Sequence, residues 1–331
     1  MRILKLSFVL LLAIILTASC SKFDGYKNCT ILTASDGNTT FFANNEDYHE
    51  GELVIGFFPA SANGYGSVHW GYETDGGIQF QGVVNDQGLA WDVNGLPSAK
   101  LNPHPEKRYS HEKDNYLSTI SKKAASVEEA IQIADEFDFG DSLSIQVHIA
   151  DSTGDAIVLS AGADGEIHIV RKSPSTRYLV STNFNHGKPG NGREDWRYGT
   201  AVEMLENFTP KEYTMTNIGK VMEAVKLKEI STYTLYSNVI DLNNMKMHLY
   251  YMSQYDEMAE IDILKELEQG QRIIDMRTLF SPGTVEAGDN AYKKFEAKMK
   301  IAIIAVFVVG GIIITGIIIL IAKRRKRKKH E

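Results

Sequence analysis

The chain has 331 residues, of which 43% are hydrophobic and 23% charged, enough for the packed core of one large domain or two ordinary ones. The formal net charge is −7, but residues 1–20 carry +2 and residues 323–331 carry +6, so the stretch between them carries −15. An acidic stretch of this kind argues against a phosphate-binding surface, and we expect no nucleic-acid partner.

The first 20 residues have the pattern of a signal peptide. Arg2 and Lys5 precede a short apolar run from Leu6 to Leu16, which small residues follow. A buried core helix does not fit, because the run has no polar face and opens the chain. The pattern predicts export, and Cys20 leaves open whether the mature protein also carries a lipid.

The next part of the chain reads as short strands with turn signals between them. The first turn is Asp36-Gly37, and β-rich runs continue to about residue 93. A helical pattern then extends from Tyr116 to Phe137, with Ser126 and Glu129 spaced as a capping box. These patterns predict a hairpin sheet followed by a helix.

The second half of the chain also shows both strand and helix patterns. Strand patterns return after residue 142, helical patterns occupy two stretches between residues 200 and 227, and two later strands are joined by Asn243-Asn244. Runs of strands flanking clustered helices predict layered sheets covered by helices. We therefore expect one α/β (α+β) domain over residues 29–287, followed by a stalk over residues 288–300.

A single transmembrane helix is predicted near the C-terminus. Ile301–Ala322 is a run of 22 residues without a charge, about 33 Å as a helix. The basic residues 323–331 follow directly, and the positive-inside rule places this tail in the cytoplasm. The sequence predicts a single-pass membrane protein with an extracellular or lumenal ectodomain.

Cys29 is the only cysteine besides Cys20, so the predicted domain cannot form an internal disulfide. Cys29 follows the signal segment closely and opens the first predicted strand. Removal of residues 21–28 as a short propeptide would make it the N-terminal residue. An α-amine with a pKa of about 8 would then act as the base for its own thiol, although a buried cysteine can also be an inert apolar residue.

The segment that begins at Cys29 resembles a known family. The segment Cys29 to Tyr48, CTILTASDGNTTFFANNEDY, is similar to the opening of choloylglycine hydrolases, penicillin V acylases and related linear-amide C–N hydrolases. The pattern of that family is Cys-Thr, an Asp-Gly hairpin and then Arg-Asn-x-Asp. Further segments resemble the family in the same order along nearly the whole predicted ectodomain. They are Asn85-Asp86-Gln87-Gly88-Leu89 with Asn94, Val147 to Leu159, Ser181-Thr182-Asn183-Phe184, and Asp195-Trp196-Arg197-Tyr198.

The resemblance implies an N-terminal nucleophile (Ntn) hydrolase fold, an αββα sandwich of two antiparallel sheets, here with one added transmembrane helix. It also implies roles for five residues. Cys29 would be the nucleophile and Asp47 would hold its α-amine. Asn94 and Asn183 would stabilise the oxyanion, and Arg197 would support the surroundings of the nucleophile.

One position departs from the family pattern, because Asn44 stands where the family has arginine before Asn-x-Asp. Loss of a positive charge beside the thiol would raise its pKa or mark a subfamily with another substrate. The leading interpretation is an exported, membrane-anchored cysteine amidase acting on a small-molecule amide. An acyltransferase with the same acyl-enzyme and a non-catalytic surface binding module remain alternatives, and the sequence leaves the oligomeric state open.

No cofactor or metal is expected. The nine histidines are scattered, and His104 and His111 have no companion at a ligand-like spacing. The sequence also lacks a Gly-rich phosphate loop and a Gly-x-Ser-x-Gly elbow.

Overall fold

The computed structural model describes residues 29–48, 51–110, 115–188, 194–228 and 232–327. The predicted signal peptide (1–20), the propeptide (21–28) and the last residues of the basic tail (328–331) lie outside the described residues.

The described strands, in chain order, are β1 (Thr30–Ser35), β2 (Thr40–Tyr48), β3 (Glu52–Phe58), β4 (Ser67–Thr74), β5 (Gly77–Asn85), β6 (Leu89–Lys100), β7 (Arg108–Tyr109), β8 (Phe137–Asp138), β9 (Ser142–Asp151), β10 (Ala156–Ala161), β11 (Ile167–Arg171), β12 (Tyr178–Ser181), β13 (Tyr233–Asp241), β14 (Lys246–Tyr251), β15 (Gln254–Asp262) and β16 (Arg272–Asp275). The described α-helices are α1 (Tyr116–Lys123), α2 (Val127–Asp135), α3 (Trp196–Glu206), α4 (Met215–Ala224), α5 (Ile263–Glu268) and α6 (Pro282–Arg327), with short 3-10 turns at Pro210–Glu212 and Met276–Leu279.

Two antiparallel sheets form the centre of the molecule. The first has six strands in the order β12-β1-β2-β13-β14-β15, and the second has eight in the order β11-β10-β9-β6-β5-β4-β3-β16. The two-residue strands β7 and β8 form a separate parallel pair. The expected Asp36-Gly37 turn joins β1 to β2: Gly37 has φ of +102°, and the Asp36 carboxylate accepts hydrogen bonds from two backbone N–H groups.

Helices cover the outer face of each sheet, which gives four layers. Ile120 of α1 and Ala130 of α2 pack on the eight-stranded sheet, while Leu205 of α3 and Ile218 of α4 pack on the six-stranded sheet. A third apolar cluster, which includes Phe42 and other residues of both sheets, lies between them. The expected α+β sandwich of two antiparallel sheets is confirmed.

The helix expected over Tyr116–Phe137 is instead two helices with an extended break. Ala124 and Ser126 have β-region backbone angles, and the Ser126 hydroxyl accepts a hydrogen bond from Glu129 N. A capping residue needs non-helical backbone angles, so the capping signal read inside one helix in fact marks the start of α2. Phe137 lies in β8.

The last helix, α6, runs unbroken for 46 residues and contains the predicted transmembrane segment 301–322. Among the described residues it is the one helix long and apolar enough to cross a membrane, with a mean hydropathy of 3.1 over 18 residues. Residues 288–300, expected to be a stalk, are part of this helix. Phe295 in this segment is 6% exposed and packs on the core between the sheets.

Candidate active site

Cys29 lies immediately before β1 and is fully buried. Its Sγ donates a hydrogen bond to Glu46 Oε2 at 3.3 Å, and the backbone of Asp47 also hydrogen-bonds the sulfur. Its own carbonyl oxygen accepts a hydrogen bond from Asn94 Nδ2 at 2.9 Å. Cys29 is therefore held between the end of β2, which contacts its thiol, and the middle of β6, which contacts its carbonyl oxygen.

The polar side chains at the end of β2 lie on both faces of the six-stranded sheet, because side chains alternate along a strand. Asn45 and Asp47 point toward the helical layer: Asn45 Nδ2 donates to Met222 O of α4 at 2.9 Å. Asn44 and Glu46 point toward the other sheet. All four side chains are 0% exposed, so both faces at this end of the strand are closed and polar.

Asp47 is held by two partners from distant parts of the chain. Its Oδ1 accepts a hydrogen bond from the Thr234 hydroxyl of β13, and its Oδ2 lies 3.6 Å from Arg197 Nη1. Burial raises the pKa of Asp47 well above its usual range, while Arg197 and then Thr234 act to lower it. The carboxyl is thus held on the helical side of the six-stranded sheet, with one guanidinium for compensation.

Arg197, the second residue of α3, joins three groups through its planar fork. Its Nη2 donates to Asp195 Oδ2 at 2.6 Å and to Asn183 Oδ1 at 2.9 Å, in addition to the contact with Asp47. Asn183 Nδ2 in turn donates to Gly95 O at 2.8 Å. Because Arg197 binds the amide oxygen, the amide nitrogen of Asn183 is oriented toward Gly95 in the middle of β6.

Asn94 has its amide oriented in a similar way. Its Oδ1 accepts a hydrogen bond from Gln146 Nε2 at 3.2 Å, and Gln146 also donates to Thr182 O at 2.6 Å. The Asn94 amide nitrogen carries two N–H groups, of which the bond to Cys29 O uses one. Asn94 is therefore a pre-oriented donor close to the thiol.

A second buried carboxyl, Asp92, reaches the site from the eight-stranded sheet. It accepts hydrogen bonds from Trp70 Nε1 at 2.7 Å and from Val93 N at 2.6 Å. Burial and then the charge of Glu46 raise the pKa of Asp92, while the hydrogen bonds from Trp70 and Val93, and then the nearby Asn44 amide, act to lower it. Asn44 thus faces Asp92, at the position where the resemblance leads one to expect an arginine.

These carboxyls set the electrostatics of the nucleophile. Burial raises the pKa of the Cys29 thiol well above its ordinary value, and the charges of Glu46 and Asp92 raise it further. The resting thiol is therefore neutral. Attack on a carbonyl requires a base that removes the proton during the reaction rather than a preformed thiolate.

The structure brings all five predicted site residues together at one end of the sandwich: Cys29, Asp47, Asn94, Asn183 and Arg197. Sequence reasoning missed Glu46 and Asp92. Glu46 could have been found from its place in β2, two residues from Asn44 on the same face. Asp92 stands alone among apolar residues in LAWDV, which is the signal of a buried carboxyl with a partner.

Comparison with solved structures identifies the fold. The chain is similar to a conjugated bile acid hydrolase from Clostridium perfringens in two variant forms, with TM-scores of 0.55 and 0.54 and identities of 16% and 14%. Each comparison covers 74% of this chain, and 96% and 95% of the hydrolase chains respectively. A penicillin V acylase from Agrobacterium tumefaciens has a TM-score of 0.54 and 16% identity over 75% of this chain and 91% of its own.

The described domain has the fold of these solved structures. No family model matches the sequence. No curated protein matches it either.

Proposed function

We propose that the protein is an exported, membrane-anchored amidase that hydrolyses a linear amide C–N bond through an acyl-enzyme on Cys29. The observation that carries this proposal is the convergence of Asp47, Asn94, Asn183 and Arg197 on a cysteine at the start of the first strand. The hydrolase and acylase folds of the similar structures support the same reaction class.

Cleavage of the Asn28–Cys29 bond would supply the base that the neutral thiol needs. In the mature protein the α-amine of Cys29 takes the thiol proton as Sγ attacks the amide carbon. The Asp47 carboxyl would hold that amine and favour its protonated form. Asn94 and Asn183 donate to the oxyanion of the tetrahedral intermediate, with orientations set by Gln146 and Arg197.

Collapse of this intermediate breaks the C–N bond, and the leaving amine takes the proton from the α-ammonium group. A thioester with Cys29 remains. Water then attacks the thioester carbon, its proton passes to the α-amine, and the sulfur leaves and is reprotonated. The net reaction adds one water to the amide and releases a carboxylic acid and an amine.

The test begins with the mature N-terminus. N-terminal sequencing of the purified protein should start at Cys29, and Cys29→Ala should retain the preceding residues if cleavage is autocatalytic. Because Cys20 belongs to the predicted signal segment, an electrophilic amide or thiol probe should give one adduct, on Cys29, by intact mass. Active protein that begins at residue 21 would contradict the proposal.

A panel of acyl amides separates the alternatives. Release of free acid without an added acceptor indicates a hydrolase, whereas product only in the presence of an added amine or thiol indicates an acyltransferase. A chain begun at residue 29 with Cys29→Ser is the matched control, since a hydroxyl of nearly the same size should keep the fold and lose most activity. If correctly processed protein cleaves no amide and reacts with no probe, the remaining interpretation is the non-catalytic binding module.

A further inference from the structure

The helix α6 packs against the six-stranded sheet before it leaves the domain. A Cβ added at Gly288 would lie 2.8 Å from Met252 Cβ, so the backbones approach closely there. One residue on, Asp289 Oδ1 accepts a hydrogen bond from Tyr251 Oη at 2.6 Å. The ring of Phe295 lies 5.4 Å from the ring of Tyr233. These contacts fix the direction of the helix relative to the sheets.

Successive residues of α6 contact the sheet at positions that lie closer and closer to the end that carries the candidate active site. Tyr251 pairs with Tyr236 of β13, and Tyr233, three residues earlier, is the first residue of that strand. At that end of β13, Tyr233 pairs with Tyr48 and the next residue pairs with Asp47. The helix therefore leaves the domain beside the edge at which Asp47 and Cys29 meet.

The separation between this edge and the apolar span is short. Phe295 and Ile301 are six residues apart, about 9 Å along a helix. Cys29 precedes β1, which is two strands from β13, or about 10 Å across the sheet. The nucleophile thus lies on the side of the domain that faces the start of the predicted transmembrane segment.

Exposed side chains on the same edge suit a membrane surface. Trp196 is 47% exposed and precedes Arg197, and Ile78 is 39% exposed on the hairpin that follows Tyr72. Tryptophan favours the interface between water and lipid because its ring is apolar and its N–H is polar. On α6, the exposed Lys298 and Lys300 adjoin the apolar span, where ammonium groups reach lipid phosphates.

We propose that the candidate active site lies on the side of the domain that faces the membrane and takes its substrate from the bilayer, as an amide with a long acyl chain. This inference rests on the proposed amidase function. The half-buried rings of Phe184 and Tyr198, 5.1 Å apart, lie next to Asn183 and Arg197. They offer apolar surface beside the position at which the amide carbonyl would be held.

The position of the edge is tested by fluorescence quenching in full-length protein reconstituted into phosphatidylcholine vesicles with brominated acyl chains. Of the three tryptophans, Trp70 and Trp91 are 0% and 6% exposed, so quenching reports on Trp196. We expect quenching that disappears in Trp196→Phe.

The matched control adds Leu264→Trp to Trp196→Phe. Leu264 is 46% exposed and lies at the opposite end of the sheets, where Ile263 N donates to Met245 O beside the Asn243-Asn244 turn. A tryptophan there should not be quenched. Unquenched Trp196, or equal quenching at both positions, would overturn the proposed orientation.

The substrate class is tested in the same vesicles with two amides that share a leaving amine and differ in the length of the acyl chain. We expect kcat/KM at least tenfold higher for the long-chain amide that partitions into the bilayer. Preference for the short, water-soluble amide would overturn the substrate class and leave the amidase standing. Cleavage of neither amide would overturn the amidase function and the substrate class together, while the quenching result would stand independently.

Discussion

The thiol of Cys29 donates a hydrogen bond to the carboxylate of Glu46, with Sγ and Oε2 3.3 Å apart. Both side chains are fully buried. In the uncleaved chain the nitrogen of Cys29 belongs to a peptide bond and cannot act as a base. Glu46 is then the carboxylate placed to accept the thiol proton, and after the proposed cleavage its negative charge would oppose formation of the thiolate.

The first prediction concerns this charge. Glu46→Gln should lower the pKa of Cys29 in the processed protein, because removal of a negative charge favours the thiolate. The pH dependence of alkylation by iodoacetamide measures the change, and its midpoint should move to lower pH. Glu52→Gln, at an exposed position at the start of β3, is the control and should keep the wild-type midpoint. An unchanged midpoint in Glu46→Gln would show that the charge does not act on the thiol.

The second prediction concerns the guanidinium fork. Arg197→Lys should reduce kcat by tenfold or more, because one ammonium group cannot hold Asp47, Asp195 and Asn183 at the same time. Steady-state kinetics with the best amide measures the loss. Arg177→Lys removes a surface guanidinium that donates to Asp36 O and should leave kcat unchanged. Equal activity of both variants would remove Arg197 from the site.

The third prediction concerns the oxyanion. Asn183→Ala should lower kcat by roughly a hundredfold, the usual scale for loss of one oxyanion donor, with a smaller effect on KM. Asn185→Ala is the matched control, since its amide donates to Ala161 O of β10 at 3.0 Å rather than to β6. A change confined to KM would assign Asn183 to substrate binding instead.

Much of the fold was predictable because its signals are local. The Asp36-Gly37 turn and the Asn243-Asn244 turn lie where the sequence placed them, and the strands around them pair as hairpins. The break before Ser126 was missed because the spacing of apolar residues continues across it. Only the backbone angles at the cap distinguish one helix from two.

The site was predictable only in part, for a physical reason. The five expected residues follow from a resemblance in sequence order. The electrostatic interaction of Glu46 with Asp92 instead depends on how two sheets face each other. Asp92 lies in β6 of the eight-stranded sheet and Glu46 in β2 of the six-stranded sheet. Strand periodicity indicates which face a side chain occupies but not which residue of another sheet lies opposite.

The fourth prediction concerns the boundary of the soluble domain. A chain that ends after Lys300 should be more stable than one that ends after Asn290, because the shorter chain loses Tyr292 and Phe295, whose rings pack on Tyr233. Loss of a buried aromatic residue costs about 3–5 kcal/mol. Denaturant unfolding of the two truncated proteins measures the difference. Equal unfolding free energies would mean that residues 291–300 do not pack on the domain.

The fifth prediction concerns stability at acid pH. His148 is fully buried between the two sheets, where its ring nitrogens lie 2.9 Å from the hydroxyls of Thr33 and Ser181. Burial lowers the pKa of His148 from 6.5 to about 3. The unfolded chain therefore binds a proton that the folded protein excludes. The stability from the neutral ring is present above pH 6.5 and is lost as the pH falls toward 3.

The loss should reach on the order of 4 kcal/mol at the acid end of this range. His148→Gln should be less stable than the wild type at pH 7.5, since it disturbs the two hydroxyl contacts, and the gap should narrow as the pH falls. Urea unfolding at pH 7.5, 5.5 and 4 measures this trend. His168→Gln, at an exposed position of β11, should follow the wild-type curve. A gap that stays constant over this range would show that His148 is not held neutral by the fold.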